Sequence, residues 1–270
     1  MKHLMLDGFK GFRSRFDDMR LMHEILTELP VQLGAEPIMP PFVLPYYDGV
    51  MPEDVGISGV VLLRGGHFTI HTFSYAECYF ADILLPQDCS ESEFGRLLNQ
   101  VLPCSVVDTV HVDRTGFDRA PTVATPSEDF GPHYTLDMKG YDGPSSLGDV
   151  FDFLDQVPSL IGMTPIMRPI VLKDHMHDGS EVISGLTMIA ESHLALHIFP
   201  ERREAAFDLF SCRFFDETMV VPKIKELLPA REIKEHMAVR GVAFERHRMQ
   251  PSKALDNSRK WLQRPRGVRS

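Results

Sequence analysis

The sequence predicts an α+β protein built as a tandem repeat. Each copy reads as a β-α-β-β-β-α-β unit with antiparallel sheets flanked by helices, the two copies packed as an internal pseudo-dimer. Three observations predict it. The segment ISGVVLLRGGHFTIHTF at 57–73 returns as ISGLTMIAESHLALHIF at 183–199, and Ile57/Ile183, Gly59/Gly185, His67/His193, His71/His197 and Phe73/Phe199 are each 126 positions apart. The same spacing carries Asp82 onto Asp208, and PIMPP at 37–41 answers PIMRP at 165–169. Self-similarity at a fixed period marks a duplicated structural unit. Second, some stretches are rich in β-branched residues and alternate with period two, while others space Leu, Ile, Met and Phe three or four apart. Third, many connections between strands are too short for the crossovers that parallel strands require.

The first copy opens with a strand at about 3–9 and an amphipathic helix at about 17–33. Strands at 59–63, 68–72 and 79–85 follow, then a helix at 90–101 and a last strand near 106–112. The second copy places a strand at 133–138, helices at 147–161 and 221–228, and a last strand near 236–245. These elements divide the chain into a first repeat, 1–114, and a second, 132–249. Between them 115–131 (TGFDRAPTVATPSEDFG) has the Pro, Thr, Ser, Gly and Asp content of a linker. The end, 250–270, carries Lys253, Arg259, Lys260, Arg264, Arg266 and Arg269 and reads as a solvated basic tail.

A chain of 270 residues with 43% hydrophobic and 24% charged residues can bury a substantial core and is typical of soluble globular proteins. A net charge of −10 argues against general nucleic-acid binding. Cys78, Cys89, Cys104 and Cys212 show no CxxC spacing, which fits reduced thiols. The opening MKHLMLDGFKGF lacks an apolar leader core, and no apolar run reaches membrane-spanning length. A cytoplasmic protein with no membrane or nucleic-acid partner is expected.

The copies differ where chemistry would sit. Glu191-Ser192-His193 occupies the frame that Gly65-Gly66-His67 occupies in the first copy, and Cys212 stands where the first copy has Pro86. This pattern suits a catalytic second repeat and a degenerate, supporting first repeat. The run SGLTMIAESHLALHIFPERREAAFDLFSC at 184–212 resembles the core of the pyruvoyl-dependent S-adenosylmethionine decarboxylases of the small bacterial and archaeal type. That family has a Glu-Ser-His cleavage site, a His five residues after the serine, a Cys twenty after it and a processing serine eight before it. Ser192, His197, Cys212 and Ser184 stand at those spacings. GPHYTLD at 131–137 is similar to the family's opening strand, and the likeness extends over most of 1–247.

The resemblance implies a proenzyme that cuts itself between Glu191 and Ser192 and turns Ser192 into a pyruvoyl cofactor. Ser192 would attack the preceding carbonyl, Ser184 would support the strained peptide by a hydrogen bond, and His197 would take the Cα proton. The resulting ketone would form a Schiff base with a substrate amine, and Cys212 would protonate the product of decarboxylation. One difficulty stands: residues 192 and 197 differ by an odd number, so a regular strand would put them on opposite faces. Release of the new end by cleavage is the expected way out.

The substrate implied is S-adenosylmethionine, decarboxylated for spermidine synthesis, with Glu201 and Phe199 in the binding region. Tyr46, Tyr47 and Phe73 of the first repeat are further candidates for aromatic walls. Where family members read Thr-Trp-Pro-Glu-Tyr-Gly-Tyr, this chain reads Ile198-Phe199-Pro200-Glu201-Arg202-Arg203-Glu204. That departure keeps arginine or ornithine open as substrates, and the degenerate copy keeps a non-catalytic regulatory paralogue open. His67 and His71 read as scaffold, and Cys78, Cys89 and Cys104 as inert. His193 and His197, with His175 and His177, lack a matching Cys or carboxylate set, so no metal is expected. One site per chain, and further pairing of processed chains as a homodimer, complete the expectation.

Overall fold

The structure, a computed structural model, describes residues 1–46, 55–114, 131–190, 192–212 and 214–242. The first repeat runs β1 (Lys2–Gly11), α1 (Arg13–Phe16), α2 (Met19–Gln32), β2 (Phe42–Tyr46), β3 (Gly56–Leu63), β4 (Gly66–Phe73), β5 (Cys78–Leu85), α3 (Glu91–Val101) and β6 (Cys104–Asp113). The second runs β7 (Pro132–Tyr141), α4 (Leu147–Leu160), β8 (Ile170–His175), β9 (Glu181–Ile189), β10 (Ser192–Phe199), β11 (Glu204–Ser211), α5 (Glu217–Leu227) and β12 (Ala230–Val239). Each repeat makes one six-stranded antiparallel sheet, in the orders β2-β3-β4-β5-β1-β6 and β8-β9-β10-β11-β7-β12. The α+β class and the duplication are as expected.

Each unit has one strand more than the expected pattern, β2 or β8, between the first helix and the three central strands. β2 carries Pro45, which lacks a ladder donor, and an edge position tolerates it. β12 starts at Ala230, not near 236, because AREIKEH alternates charges on an exposed edge where no apolar stripe announces a strand. The expected linker lies outside the described residues except for Gly131, and the basic tail and Tyr47 lie wholly outside them. Among the described residues, no helix is long and apolar enough to cross a membrane.

The helices begin where their sequences can satisfy the first backbone donors. Asp18 accepts from the Leu21 N–H, and Ser146 forms a reciprocal capping box with Asp149. Met22, Ile25, Leu26 and Leu29 of α2 fall on one face and bury against the first sheet; Val150, Phe153, Leu154 and Val157 of α4 do so against the second. Gly59 and Gly185 permit this approach, since a Cβ there would lie 2.5 Å from Leu26 and 2.6 Å from Leu154. An alanine at either would overpack the layer at a cost of about 1–3 kcal/mol.

The opposite faces of the two sheets meet. Along β10, Leu194, Leu196 and Ile198 join the helix-side core, while Ala195 packs with Val60, Leu62, Leu186 and Met188 from both repeats. His193 and His197 point the same way as Ala195 and meet His71 and His67 of β4. The molecule is therefore four layers, helix–sheet–sheet–helix, with a pseudo-twofold axis through a seam that is polar at its centre.

Candidate active site at the seam between the repeats

Strand geometry decides which of the expected site residues can meet. Ser192 opens β10 and pairs with Ser211 of β11, which places it beside Cys212. His197 lies five residues along the same strand, about 17 Å away at roughly 3.4 Å per residue. It pairs with Ser184 of β9, and its Nδ1 is 2.8 Å from the Ser184 hydroxyl. Its Nε2 is 2.8 Å from His67 Nδ1. The structure thus joins Ser184 to His197 and sets Ser192 in register one residue from Cys212, but it holds the two pairs at opposite ends of one strand. Glu191 lies outside the described residues.

The first repeat supplies a second copy of the serine–histidine pair. Ser58 Oγ is 2.9 Å from His71 Nδ1, and His71 Nε2 is 2.9 Å from Nδ1 of His193, the neighbour of Ser192. Because β4 and β10 face each other across the seam with reversed direction, His71 stands at the Ser192 end and His67 at the His197 end. The His71 ring is also 6.0 Å from the Phe210 ring, two residues from Cys212. The sequence reading of His71 as scaffold missed this pairing. The odd spacing between 192 and 197, joined to the 126-residue equivalence of Ser58 with Ser184 and His71 with His197, was the signal that could have found it.

The Ser192 end is apolar and aromatic. Phe9, Phe73, Cys78, Phe80, Phe210 and Cys212 form one buried cluster, with Phe80 ring centroids 5.7 Å from Phe73 and 5.6 Å from Phe210. Ser192 is 3% exposed, and its Oγ is buried without a hydrogen-bond partner. Its φ of 157° lies at the border of a region that L-residues seldom adopt. Burial holds His71 well below the ordinary histidine range, with the neighbouring His193 adding to it, so the ring is neutral and keeps a lone pair. Burial also acts first on His197, seconded by His67.

The His197 end is different. At the positions equivalent to Ser192 and Cys212 stand Gly66 and Pro86, and a Cβ at Gly66 would fall 1.9 Å from the Leu84 carbonyl oxygen. A cavity of about 240 Å³ opens there, lined by Phe199, Ala206, Glu204, Lys139, Asp137 and Arg114 among others. Phe199 therefore lines a cavity remote from Ser192, and its repeat mate Phe73 stands at the Ser192 end. Glu201 accepts the Glu181 N–H at 3.1 Å and closes a surface hairpin.

Between the ends lies a buried polar centre. Asp82 and Asp208 sit among His3, His67, His133 and His193, flanked by Arg114 and Arg240. His175 and His177, the other histidines weighed from sequence, are on the surface strand β8 and the turn after it.

Comparison with known proteins gives this geometry its relatives. The sequence model described as S-adenosylmethionine decarboxylase matches residues 2–115 and 132–241, one match in each repeat. An S-adenosylmethionine decarboxylase proenzyme of Geobacillus kaustophilus is 41% identical over 49 residues, 18% of this chain and 40% of that protein. One from Sulfurihydrogenibium is 30% identical over 116 residues, 42% of this chain and 83% of that protein. The aligned stretch thus spans only 40% of the length of the first of these relatives. The adenosylmethionine decarboxylase of Aquifex aeolicus superposes with a TM-score of 0.35 at 21% identity, over 43% of this chain and 94% of the other. With both repeats matched, the chain belongs to the S-adenosylmethionine decarboxylase family.

Proposed function

We propose that the chain is a self-processing S-adenosylmethionine decarboxylase whose one site is assembled from both repeats. Ser192 and Cys212 come from the second repeat, and Ser58 and His71 from the first. The observation that carries this reading is the buried, unpartnered Ser192 hydroxyl at the seam end where a neutral His71 with its Ser58 partner stands. This crossed assembly replaces Ser184 and His197 as the working pair and removes the separation of about 17 Å along β10; release of the new end at residue 192 remains the way its reacting group turns toward His71.

In processing, Ser192 Oγ attacks the carbonyl carbon of residue 191, and an ester replaces the amide. The shift is uphill, and burial of the unpartnered Ser192 hydroxyl removes the hydrogen bonds that would otherwise hold the serine in place. Ser58 orients the His71 ring, and His71, once its Nε2 parts from the His193 N–H, takes the Cα proton of residue 192 as the residue-191 carboxylate leaves. Water then releases ammonia from the resulting dehydroalanine and leaves a ketone at the new terminus. The site fits that group, since it offers a dry, aromatic-walled end to the strand, with the Cys212 thiol in the same buried cluster. When formed, the pyruvoyl ketone supplies an electrophilic carbonyl for a substrate amine and accepts the electrons released with CO₂.

Cys212 holds the proton that returns to the substrate carbon. Phe9, Phe73, Phe80 and Phe210 give the apolar faces that a sulfonium and an adenine favour, which supports S-adenosylmethionine over arginine or ornithine. The product would be the aminopropyl donor for spermidine. Intact-mass measurement tests the processing: fragments 1–191 and 192–270 are expected, the second with a blocked end, and a single uncut chain would overturn the reading. CO₂ release measured with S-adenosylmethionine, arginine and ornithine separates the substrates.

A further inference from the structure

The polar centre of the seam is built like a metal site. His67 Nε2, His193 Nε2, Asp82 Oδ2 and Asp208 Oδ2 lie within 4.8 Å of one another, all buried. Going round the set, His67–Asp82 is 3.2 Å, Asp82–His193 3.8 Å, His193–Asp208 3.4 Å and Asp208–His67 3.5 Å. Four donors arranged tetrahedrally about 2.0–2.1 Å from an ion stand about 3.3–3.4 Å apart along all six edges; four of these are the distances above, and the His67–His193 and Asp82–Asp208 edges lie within 4.8 Å. The four atoms are two pairs of repeat mates, so an ion among them would sit on the pseudo-twofold axis.

Charge points the same way. Arg240 donates to Asp7 at 2.6 Å and Arg114 to Asp137 at 2.8 Å, so each buried guanidinium already has its own carboxylate. Their closest approaches to Asp82 and Asp208 are 3.9 and 3.8 Å. Two carboxylates remain at the centre, where an isolated buried charge is costly. Asp82 Oδ1 accepts from Thr69 at 2.8 Å, but both Asp208 oxygens and His193 Nε2 are buried without hydrogen-bond partners.

The surrounding rings are oriented as a ligand set requires. In the tautomer where Nδ1–H of His67 donates to His197 and Nδ1–H of His193 donates to His71, both Nε2 lone pairs face the centre. The relays end on the Ser184 and Ser58 hydroxyls. His133 instead receives Arg240 on Nδ1 at 3.1 Å, which makes its Nε2 a donor toward Asp208 at 3.6 Å. His3 stands likewise toward Asp82 at 3.4 Å. In that tautomer four atoms aim lone pairs at the centre, and His3 and His133 stand against the carboxylates; without an ion, His67 Nε2 would instead carry the proton and donate to Asp82 at 3.2 Å.

We propose that this centre holds one divalent cation of the zinc class, bound by His67, Asp82, His193 and Asp208, which clamps the two repeats across the seam. A site this buried takes its ion as the chain folds and releases it only on unfolding. The sequence reading set aside a metal because the histidines lacked carboxylates near them. Asp82 and Asp208 are fifteen residues from His67 and His193, on the next strand of the sheet, and the register closes the gap.

Elemental analysis of untagged protein should find one zinc-class ion per chain, resistant to chelator until denaturant is added. Refolding with Co²⁺ should give the intense visible bands of tetrahedral cobalt, and refolding with chelator should lower the melting temperature. His67→Gln and Asp82→Asn should reduce the ion content to background, while an H175Q/H177Q double variant should retain it. Should either ligand variant fail to fold, the ion count and cobalt spectrum of the parent decide. A parent that carries no ion and refolds equally well in chelator would overturn the proposal, as would an ion that leaves with His175 and His177.

Discussion

The two ends of the seam are repeat copies of each other, and the difference between them shows how one site survives from two. Both ends keep the serine–histidine pair, Ser58–His71 at one and Ser184–His197 at the other. Only the first pair lies at the end of the seam where β10 opens with Ser192 and β11 runs on to Cys212. The second faces Gly66 and Pro86. The aromatic set is lost at that end as well: where Phe80 and Cys78 stand near Ser192, the mates are Ala206 and Glu204, and a polar-edged cavity replaces packed rings. On the proposed function, each repeat contributes one half of a working site and keeps one half of an idle one. A pair of tandem copies can lose chemistry from each member and still hold one complete set, provided the losses fall on the same end.

The largest effect that could break this comparison is at the scissile position. Ser192→Ala should leave one uncut chain in an intact-mass measurement, because the attacking oxygen is gone. Next comes the choice between histidines. His71→Ala should slow self-cleavage by about 10²–10⁴-fold, the usual worth of a positioned proton acceptor. His197→Ala, far along the strand, should slow it much less. Equal losses in the two variants, followed as fragment appearance on a gel, would remove the crossed arrangement. Cys212→Ala should still yield cleaved protein, yet lower the turnover of CO₂ release by about 10²–10⁴-fold through loss of the returning proton.

Much of this was legible in the sequence. The 126-residue spacing gave the duplication, the period of the apolar residues gave most of the elements, and the contrast between Ser192 and Gly66 gave the polarity of the two copies. Partnership across the seam was not legible. A strand fixes its own alternation, but which residue of β4 faces which residue of β10 depends on how two sheets dock, and no local pattern encodes that. The pairing of Ser192 with His197 followed chain proximity, and strand geometry separates them. The hidden strands β2 and β8, at sheet edges where apolar alternation is weak, were missed for a related reason. The central carboxylates show the same limit, since their role depends on four elements meeting at the axis.

An attempt to repair the idle end sharpens the contrast. Gly66→Ser with Pro86→Cys restores the residue types beside Ser184 and His197, and it should still give no second cut. The Cβ at position 66 collides with the Leu84 backbone at 1.9 Å, so the chain must shift or the serine must misplace its oxygen. The measurable result is a lower melting temperature with the same two fragments; strain of this kind costs on the order of 1–3 kcal/mol. A new fragment ending at residue 65 would mean that the idle end lost only its nucleophile.

The smallest expected effect concerns substrate. Phe73 and Phe199 are repeat mates, and sequence reading placed Phe199 in the binding region because it lies in the stretch after His197 where the resembled family carries aromatics. In the fold Phe73 packs with Phe80 beside Cys212, while Phe199 lines the remote cavity. Phe73→Leu keeps an apolar side chain but removes a ring face worth about 0.5–1 kcal/mol or more to a bound cation. It should raise KM for S-adenosylmethionine a few-fold with kcat little changed. Phe199→Leu should leave both constants where they are. Steady-state kinetics of the two cleaved variants decide the matter, because a KM that rises for Phe199→Leu and not for Phe73→Leu would return the substrate to the His197 end and undo the division of labour between the ends.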